Sequence, residues 1–370
     1  MKISYIVVEN LRIGGSQRLA LDEAYFLSEK GLNITIVTLS SLSSKVLDNF
    51  EIIEKNLIDK YNIKIVNAFG SKYDKFVFFR KLIKNQSESL LIVSHNLSAT
   101  LLIRIARLGY SQYVKIITTI HQIPSLSSFT QRFKRYFYSL FSDKLFPYSF
   151  AVKKDWEERL RLKGLLWTMR NKDLSIIRNG VFLRRLPKVN MENAREQDLR
   201  FVYLGRQTGW KGIDVILKLA QEPLLEHARL LFIIPTKDIT FLSDISGDVL
   251  KRITFQVGTA FDSYVPKFGD IHLYPTNYGP KAKYLESISI NCLEMACVGI
   301  PSIVTKNGLG TWPEFKGSPL FIEVDWNNTQ EVINSIINYK ANDLILDEID
   351  RIKNLVDIKL HVAKMIDAFK

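Results

Sequence analysis

The sequence alternates short apolar segments with longer amphipathic ones, in two successive series. The apolar segments are rich in Ile and Val and are typical of buried parallel strands. Helical patterns separate them, such as the segment 16–31, which Gly31 ends with a helix C-terminal signal. Strands that alternate with helices predict a doubly wound α/β sheet. The strand-like segments are 2–8, 33–39, 63–68, 89–94, 114–120 and 143–149 in the first series, and 200–205, 230–235, 252–257, 271–276 and 301–305 in the second.

The two series predict two domains of similar build. A chain of 370 residues is long enough for two hydrophobic cores, and a polar, charged stretch separates the series. We expect an N-terminal Rossmann-like domain over 1–183, a connector over 184–200 and a C-terminal Rossmann-like domain over 201–370. The last helix is a candidate for packing back on the first domain. Open sheets of this kind bind ligands at the carboxyl ends of their strands, which predicts a cleft between the domains.

Bulk composition argues against several classes of protein. Hydrophobic residues make up 46% and charged residues 24% of the chain, which is an ordinary globular composition and not that of a disordered chain. Cys292 and Cys297 lie in one predicted helix and suit neither a disulfide framework nor a four-ligand zinc site. The longest uncharged windows fall short of the ~20 apolar residues of a membrane span. The first residues have a strand pattern and not that of a signal peptide, so we expect a cytoplasmic protein.

Positive charge is concentrated in the first half of the chain. Residues 1–180 hold 28 Lys and Arg against 15 Asp and Glu, whereas residues 181–370 hold 23 of each. The net charge of +13 therefore belongs to the first half. A one-sided basic surface attracts anions such as nucleic acid, anionic lipid or phosphorylated substrates. Composition alone does not choose among these three.

Two motifs at predicted strand ends contain residue types that bind phosphate. Gly14 and Gly15 form a turn before a helix, where a backbone N–H and the helix dipole favour an anion. Ordinary turn chemistry explains this pair equally well, and its spacing is not that of a dinucleotide-binding motif. Arg206 and Lys211 follow the strand 200–205 and could both point into the cleft as anion ligands. Two cations at this spacing are also common on a solvated surface.

The segment 286–305 contains two glutamates eight positions apart. Glu286 falls in a predicted loop, and Glu294 lies inside a predicted helix for which Ser287 or Ser289 is a candidate N-cap. The sequence neighbours of Glu294 are mostly apolar, so we expect its helix face to be buried. A buried carboxylate is either a ligand group that accepts hydrogen bonds from sugar hydroxyls or a core charge with a partner.

Taken in order, these motifs resemble the retaining, nucleotide-sugar-dependent glycosyltransferases of family four, of the bacterial surface-polysaccharide type. The spaced glutamates with Arg and Lys upstream are the specific part of the resemblance, and together the matches cover nearly the whole chain. The resemblance implies the GT-B fold, in which two Rossmann-like doubly wound domains face each other across a cleft. The matching elements are Gly15 in the first turn, TTIHQ at 118–122, IIRNGV at 176–181, GRQTGWKGID at 205–214 and ESISINCLEMACVGIP at 286–301.

The resemblance implies a site for a UDP- or GDP-linked sugar donor. Arg206 and Lys211 would hold its diphosphate, with help from the backbone N–H groups of Gly15 and Ile290. Departure of a nucleoside diphosphate builds up negative charge, so cations and amides that are already in place lower the barrier without a metal. The usual metal-diphosphate motif, Asp-x-Asp, does not occur in the sequence. We expect a retaining, metal-independent transfer without a cofactor, by front-face attack through an oxocarbenium-like state.

Other positions are implied to contact the sugar and the ribose of the donor. Glu286 would lie beside the transferred hexose, and Glu294 would accept the two ribose hydroxyls. His121 would lie near the anomeric carbon and the acceptor, although a lone histidine after a strand is more often structural. His95 is a second, weaker histidine candidate. The backbone positions expected to reach the sugar hydroxyls are Ile288 and Ser289.

The chain departs from the family's pattern at several positions. Phe182 follows the NGV segment where the family often has Asp, and Arg178 stands where Pro is common. The usual Gly-Phe-Gly after the first glutamate is replaced by Ser-Ile-Ser at 287–289. These changes leave the donor sugar and the contacts at the domain hinge open.

The segment 127–146 is rich in aromatic and basic residues. Its phenylalanines recur at four-residue spacing with cations alongside, as in a helix that lies in an anionic membrane interface. A lipid-linked saccharide at the cytoplasmic leaflet would then be the acceptor. The alternative is that the aromatic stripe packs on the first sheet. The residues concerned are Phe129, Arg132, Phe133, Lys134, Arg135, Phe137 and Phe141.

These features predict a hexosyltransferase of cell-surface polysaccharide synthesis, in the lipopolysaccharide O-antigen or capsule. It would move sugar from a nucleotide sugar to a sugar or lipid-linked saccharide as a peripheral protein on the cytoplasmic membrane face. Three alternatives stay open: a sugar-nucleotide epimerase of the same fold, an anion- or nucleic-acid-binding protein, and an inactive subunit that binds sugar nucleotides. A neutral second half that carries a glutamate pair argues against nucleic acid as a partner.

Overall fold

The chain divides into two units. Unit 1 consists of Met1–Gly180 with Ile358–Lys370, and unit 2 of Val181–Asp357. Most of the predicted connector, residues 188–198, lies outside the residues that the structure describes. The computed structural model describes residues 3–9, 11, 15–40, 52–86, 89–110, 113–120, 129–148, 152–154, 156–158, 176–187, 199–205, 211–234, 242, 245–257, 265–267, 269–276, 288–306, 309, 312–339 and 344–367.

Unit 1 contains a six-stranded parallel sheet. Its strands are β1 (Ile3–Val8), β2 (Asn33–Thr38), β3 (Lys64–Asn67), β4 (Leu90–Ser94), β5 (Val114–Ile120) and β6 (Lys144–Pro147). Their order is β3-β2-β1-β4-β5-β6, with every neighbouring pair parallel. Each strand lies within a segment predicted from the sequence. The inner strand β4 is buried along its whole length, as apolar runs of a parallel sheet are, whereas the edge strand β3 is only partly buried.

Two helix ends in unit 1 show residues that favour such ends. Ser71 starts the third with a capping box, in which its hydroxyl accepts from the Asp74 N–H and the Asp74 carboxylate accepts from the Ser71 N–H. Gly31 follows the first helix with φ +80°, a left-handed conformation that glycine adopts readily. The helices are α1 (Gly15–Glu29), α2 (Ile52–Lys60), α3 (Lys72–Lys84), α4 (Leu97–Arg107) and α5 (Phe129–Ser139).

Unit 2 contains a second six-stranded parallel sheet. Its strands are β7 (Arg200–Leu204), β8 (Arg229–Ile234), β9 (Ile253–Val257), β10 (Asp270–Tyr274), β11 (Ser302–Thr305) and β12 (Phe321–Val324), in the order β12-β11-β10-β7-β8-β9. The sequence does not predict β12. This edge strand has partly exposed residues in its middle, Ile322 and Glu323, so it lacks the continuous apolar run of the buried strands.

Helices of unit 2 connect its strands and cover the sheet. Ser289 is the N-cap of the helix that contains Glu294, since its hydroxyl accepts from the Cys292 N–H at 3.3 Å. This confirms one of the two predicted caps. Gly299 follows the same helix with φ +77°. The helices are α6 (Ile213–Leu219), α7 (Gly247–Lys251), α8 (Ile290–Cys297), α9 (Thr329–Ile337) and α10 (Leu344–Val356).

An ion pair fixes two central strands of unit 2 at their amino ends. Arg200, the first residue of β7, donates from Nε and Nη2 to the two carboxylate oxygens of Asp270, the first residue of β10, at 2.7 and 2.6 Å. Such a bidentate pair has a defined geometry. The register of β7 and β10 is therefore set at the edge opposite their carboxyl ends.

The last helix, α11 (Ile358–Asp367), belongs to unit 1 and packs on α1. A Cβ at Gly180 would lie 2.6 Å from Cδ1 and 2.8 Å from Cα of Ile358, so only glycine permits this approach. His361 of α11 donates from Nδ1 to the Arg178 carbonyl at 2.7 Å. The chain thus ends in close contact with the segment 176–180 of its own unit.

Candidate functional site

Lys211 lies at the carboxyl edge of the unit 2 sheet. Its ammonium donates to the Tyr274 hydroxyl at 2.8 Å and lies 4.8 Å from the centre of that ring. Gly212, next in the chain, has φ +70°, and a Cβ there would lie 2.7 Å from the Pro275 carbonyl oxygen. Tyr274 ends β10 and Pro275 follows it. The Lys211 side chain and the Gly212 backbone therefore both contact the end of this strand.

A buried histidine lies beneath this contact. His272, two residues before Tyr274 on β10, is fully buried, and its Nδ1 lies 2.9 Å from the Ser302 hydroxyl on β11. Burial and, next, the charge of Lys211 lower the pKa of His272 to about 3. The imidazole is therefore neutral near pH 7.

The start of α8 is tied to the neighbouring strand. Asn291, in its first turn, donates from Nδ2 to the carbonyl of Leu204, the last residue of β7, at 3.0 Å. β7 and β10 are adjacent in the sheet, so the start of α8 and the Lys211 ammonium lie at the same carboxyl edge. A helix leaves its first N–H groups without intrahelical acceptors and carries partial positive charge at this end. Cation and helix start together form a site suited to an anion.

Glu294 is a buried carboxylate with a charged partner. Its side chain is 1% exposed, and Oε1 lies 3.5 Å from Nη1 of Arg185, whose side chain is 2% exposed. Arg185 comes from the short 3-10 turn Leu183–Arg185 of the same unit. Of the two interpretations open from the sequence, the structure thus provides the partner that a core charge requires. The ribose-binding role of Glu294 stays a prediction.

Unit 1 also contains a buried polar cluster. Glu23 of α1 is fully buried, and its two carboxylate oxygens lie 2.9 Å from Nε2 of His95 and 2.7 Å from Nε2 of His361. Burial by itself would raise the pKa of Glu23, but the charge of His95 and hydrogen bonds to both imidazoles lower it to about 2. His95 also lies 3.0 Å from the Thr119 hydroxyl through Nδ1. His95 is therefore held on both ring nitrogens, which is typical of a structural histidine.

Several predicted site residues fall outside the described part of the chain. Gly15 is described, and it is exposed as the first residue of α1. Ile288 and Ile290 are buried on either side of the cap Ser289. The donor-binding roles predicted for Gly15, Ile288, Ser289 and Ile290 stay predictions. Outside the described residues lie His121, Arg206 and Glu286.

The aromatic and basic segment forms α5, and part of its stripe is exposed. Phe133 is 54% and Phe137 42% exposed, whereas Tyr136 is buried and its ring meets Trp156 edge to face at 5.0 Å between centroids. Burial lowers the pKa of Arg135. The helix therefore uses Tyr136 to pack and leaves two phenylalanines at the surface. The side chains of Phe129 and Arg132 are not among the described ones.

The residues that support the predicted ones were not predicted from the sequence. Asp270, His272 and Tyr274 alternate with apolar residues along β10, and this period of two on one face was the available signal. Asn291 in the first turn of a helix and Arg185 in the predicted connector gave no signal, because their partners are distant in sequence.

Two negative findings concern the described residues only. Among them, no group of three or more His, Cys, Asp and Glu side chains is placed to hold a metal ion. No described helix is both long and apolar enough to cross a bilayer.

Comparison with known proteins identifies the fold. No family model and no curated protein matches the sequence. Among solved structures, HepE of Anabaena in complex with UDP-glucose is similar at a TM-score of 0.70 and 12% identity, over 100% of both chains. The lipopolysaccharide outer core galactosyltransferase WaaB is similar at 0.65 and 14%, over 100% of this chain and 99% of its own.

A third neighbour has the same extent of similarity. Sucrose-phosphate synthase from Thermosynechococcus elongatus is similar at a TM-score of 0.68 and 15% identity, over 100% of this chain and 98% of its own. The likeness to such structures, with two doubly wound sheets, shows that this chain has the GT-B fold. The predicted fold class is confirmed.

Proposed function

We propose that the protein is a glycosyltransferase that moves a hexose-type sugar from a nucleoside-diphosphate sugar to a saccharide acceptor. The observation that carries the proposal is the Lys211 ammonium, held at the carboxyl edge where α8 begins. A fixed cation at the sheet edge where a helix begins is suited to a diphosphate. HepE, with the same fold, was solved with UDP-glucose, and a UDP- or GDP-linked donor is the corresponding ligand here.

In this proposal the chain stabilises the leaving diphosphate with its own charges. Lys211 and Arg206 offset the negative charge that develops as the sugar leaves, so the reaction needs no metal. Glu286 lies beside the hexose, Glu294 accepts the ribose hydroxyls and His121 lies near the anomeric carbon. The acceptor attacks from the face that the diphosphate leaves, which retains the anomeric configuration.

The acceptor in this proposal is a lipid-linked saccharide of cell-surface polysaccharide synthesis. WaaB acts on the lipopolysaccharide outer core, as its name states. The exposed rings of Phe133 and Phe137, with the cations of α5 beside them, support contact with an anionic membrane surface. The protein would then work as a peripheral protein on the cytoplasmic face.

A panel of UDP- and GDP-sugars tests the donor. A donor at 100 times its dissociation constant should stabilise the protein by about 2.7 kcal/mol, which raises the melting temperature measurably. With an acceptor saccharide, mass spectrometry should detect a glycoside whose anomeric configuration by NMR is that of the donor, at a rate that EDTA does not change. Epimerised free donor would indicate an epimerase instead. Binding without turnover would indicate an inactive subunit.

The contribution of Lys211 is testable with a matched lysine. Replacing Lys211→Ala should lower kcat/KM by about 100-fold or more, because a preorganised charge at the leaving group is lost. The control Lys218→Ala removes an exposed lysine from α6 and should leave kcat/KM unchanged. Normal turnover by the Lys211→Ala protein would contradict the proposed role.

A further inference from the structure

The end of β10 contacts the chain at Lys211 in two places, through the backbone of the next residue and through the ammonium. At the backbone, Gly212 lies against Pro275, where no Cβ would fit. At the other end, the ammonium donates to the Tyr274 hydroxyl at 2.8 Å and lies within cation–π range of its ring. A lysine on a solvated surface has a flexible four-carbon stem and no fixed ammonium position. Here the charge has a defined place.

Tyr274 is itself a fixed support. It is the last residue of a central strand and is 7% exposed, within the apolar cluster that includes Leu293 and Trp312. Its ring lies 5.9 Å from that of His272, which the Ser302 hydroxyl holds at 2.9 Å. The hydroxyl that meets the ammonium is therefore anchored through two adjacent strands, β10 and β11.

We propose that Tyr274 is a positioning residue that orders the Lys211 ammonium for a nucleoside diphosphate. This inference rests on the proposed function, because it concerns the same donor site. Tyr274 acts through Lys211 and does not itself contact the donor. Its hydroxyl removes the ordering cost that a flexible lysine would otherwise meet on binding. Losing the hydroxyl should weaken the diphosphate contact and leave recognition of the nucleoside intact.

A double-mutant cycle tests this coupling. The probes are UDP and GDP, with uridine and guanosine as matched ligands that lack phosphates, and binding is measured by calorimetry. Tyr274→Phe should weaken binding of the diphosphate about five- to tenfold, the ordering cost of one flexible side chain, and leave nucleoside binding unchanged. In a Lys211→Met background the same change should have no further effect. Tyr339→Phe, at another partly buried tyrosine of unit 2, is the control and should bind as wild type.

The outcomes separate this inference from the proposed function. If Lys211→Met weakens diphosphate binding and Tyr274→Phe does not, the positioning role is overturned and the donor site stands. If Tyr274→Phe weakens binding equally in both backgrounds, Tyr274 acts independently of Lys211 and the inference is also overturned. A wild-type protein that binds neither UDP nor GDP overturns the proposed function and the inference with it.

A second variant avoids any change to the core. Lys211→Arg keeps the positive charge but replaces the ammonium with a planar group that cannot occupy the same place on the hydroxyl. Its diphosphate affinity should fall about as far as that of Tyr274→Phe. Unchanged affinity would mean that only the charge matters and not its position. Thermal unfolding of each variant establishes that the native fold is retained.

Discussion

At the scale of single residues, two of the charged groups predicted for the donor, Lys211 and Glu294, have different surroundings. Lys211 is partly exposed and rests on Tyr274, whereas Glu294 is buried beside Arg185. A charge at a surface edge is available to a ligand. A charge in the core must first be matched by a partner, because burying an isolated ion is costly. Glu294 therefore has a structural role whether or not it also binds ribose.

The structural role of Glu294 predicts a loss of stability. Glu294→Gln leaves the buried Arg185 without its anionic partner, which should lower the free energy of unfolding by about 3–5 kcal/mol. Adding Arg185→Met to it should recover part of that loss. Asp248→Asn, which removes one partner of an exposed ion pair with Lys251, is the control and should change stability little. Urea unfolding measures all four proteins, and an unchanged midpoint for Glu294→Gln would contradict the partnered charge.

At the scale of elements, two kinds of contact fix the last helix, α11, within unit 1: close packing and buried polar contacts. Gly180 allows α11 to approach the backbone, and His361 of α11 contacts Glu23 of α1. The same carboxylate contacts His95, at the end of β4. One buried group thus joins the chain's first helix, its last helix and a strand end. The close packing at Gly180 and the buried contacts of Glu23 each lead to a separate prediction.

The close approach at Gly180 predicts that alanine is not tolerated there. The added methyl would lie within 2.8 Å of the Ile358 backbone, so α11 must shift, at a cost of about 1–3 kcal/mol in the free energy of unfolding. Gly247→Ala is a matched control, because nothing lies within 4 Å of a Cβ at that position. Thermal unfolding should separate the two variants. Equal melting temperatures would argue against the close packing of α11.

The buried link predicts a dependence of stability on pH. The pKa of Glu23 is lowered from 4.5 to about 2 in the folded state, so its stabilising effect is complete above pH ~4.5 and is lost as the pH falls toward 2. This loss is on the order of 3 kcal/mol at 1.36 kcal/mol per pKa unit. Urea unfolding between pH 6 and 3 should show the decline in wild type and a shallower one in Glu23→Gln. Glu29→Gln, on the same helix, should retain the wild-type decline.

At the scale of the whole molecule, the excess positive charge of the first half coincides with exposed aromatic rings on α5. Long-range attraction to an anionic surface and local insertion of rings are separate contributions to membrane binding. The first depends on salt and on lipid charge. The second depends on the rings themselves.

Liposome flotation tests both contributions. The bound fraction should rise with the content of anionic lipid and fall with added salt. Replacing Phe133→Ser and Phe137→Ser together should reduce binding several-fold at constant charge, because apolar area at the interface is lost. Val265→Ser changes an exposed apolar residue of unit 2 and should have no effect. Binding that ignores lipid charge would contradict the membrane prediction.

The sequence by itself determined the α/β class, the two series of strands and several helix ends. These depend on local patterns: apolar runs for strands such as β5 and β8, a hydroxyl at Ser289 for a helix start, and a glycine at position 31 for a helix end. It also predicted Lys211 as a candidate anion ligand from its place after a strand. Edge strand β12 was not predicted because its four residues, Phe321–Val324, include Glu323 and form no continuous apolar run.

Only the tertiary structure decided what each predicted residue contacts. Tyr274 under Lys211 and Arg185 beside Glu294 come from segments 63 and more than 100 positions away in the chain, and Glu23 meets His361 across 338 positions. Local sequence patterns do not specify such pairs, because the partners meet only after the sheets order their strands and pack their helices. The sequence therefore predicted Lys211 and Glu294 as charged candidates, and the fold decided which side chains contact them.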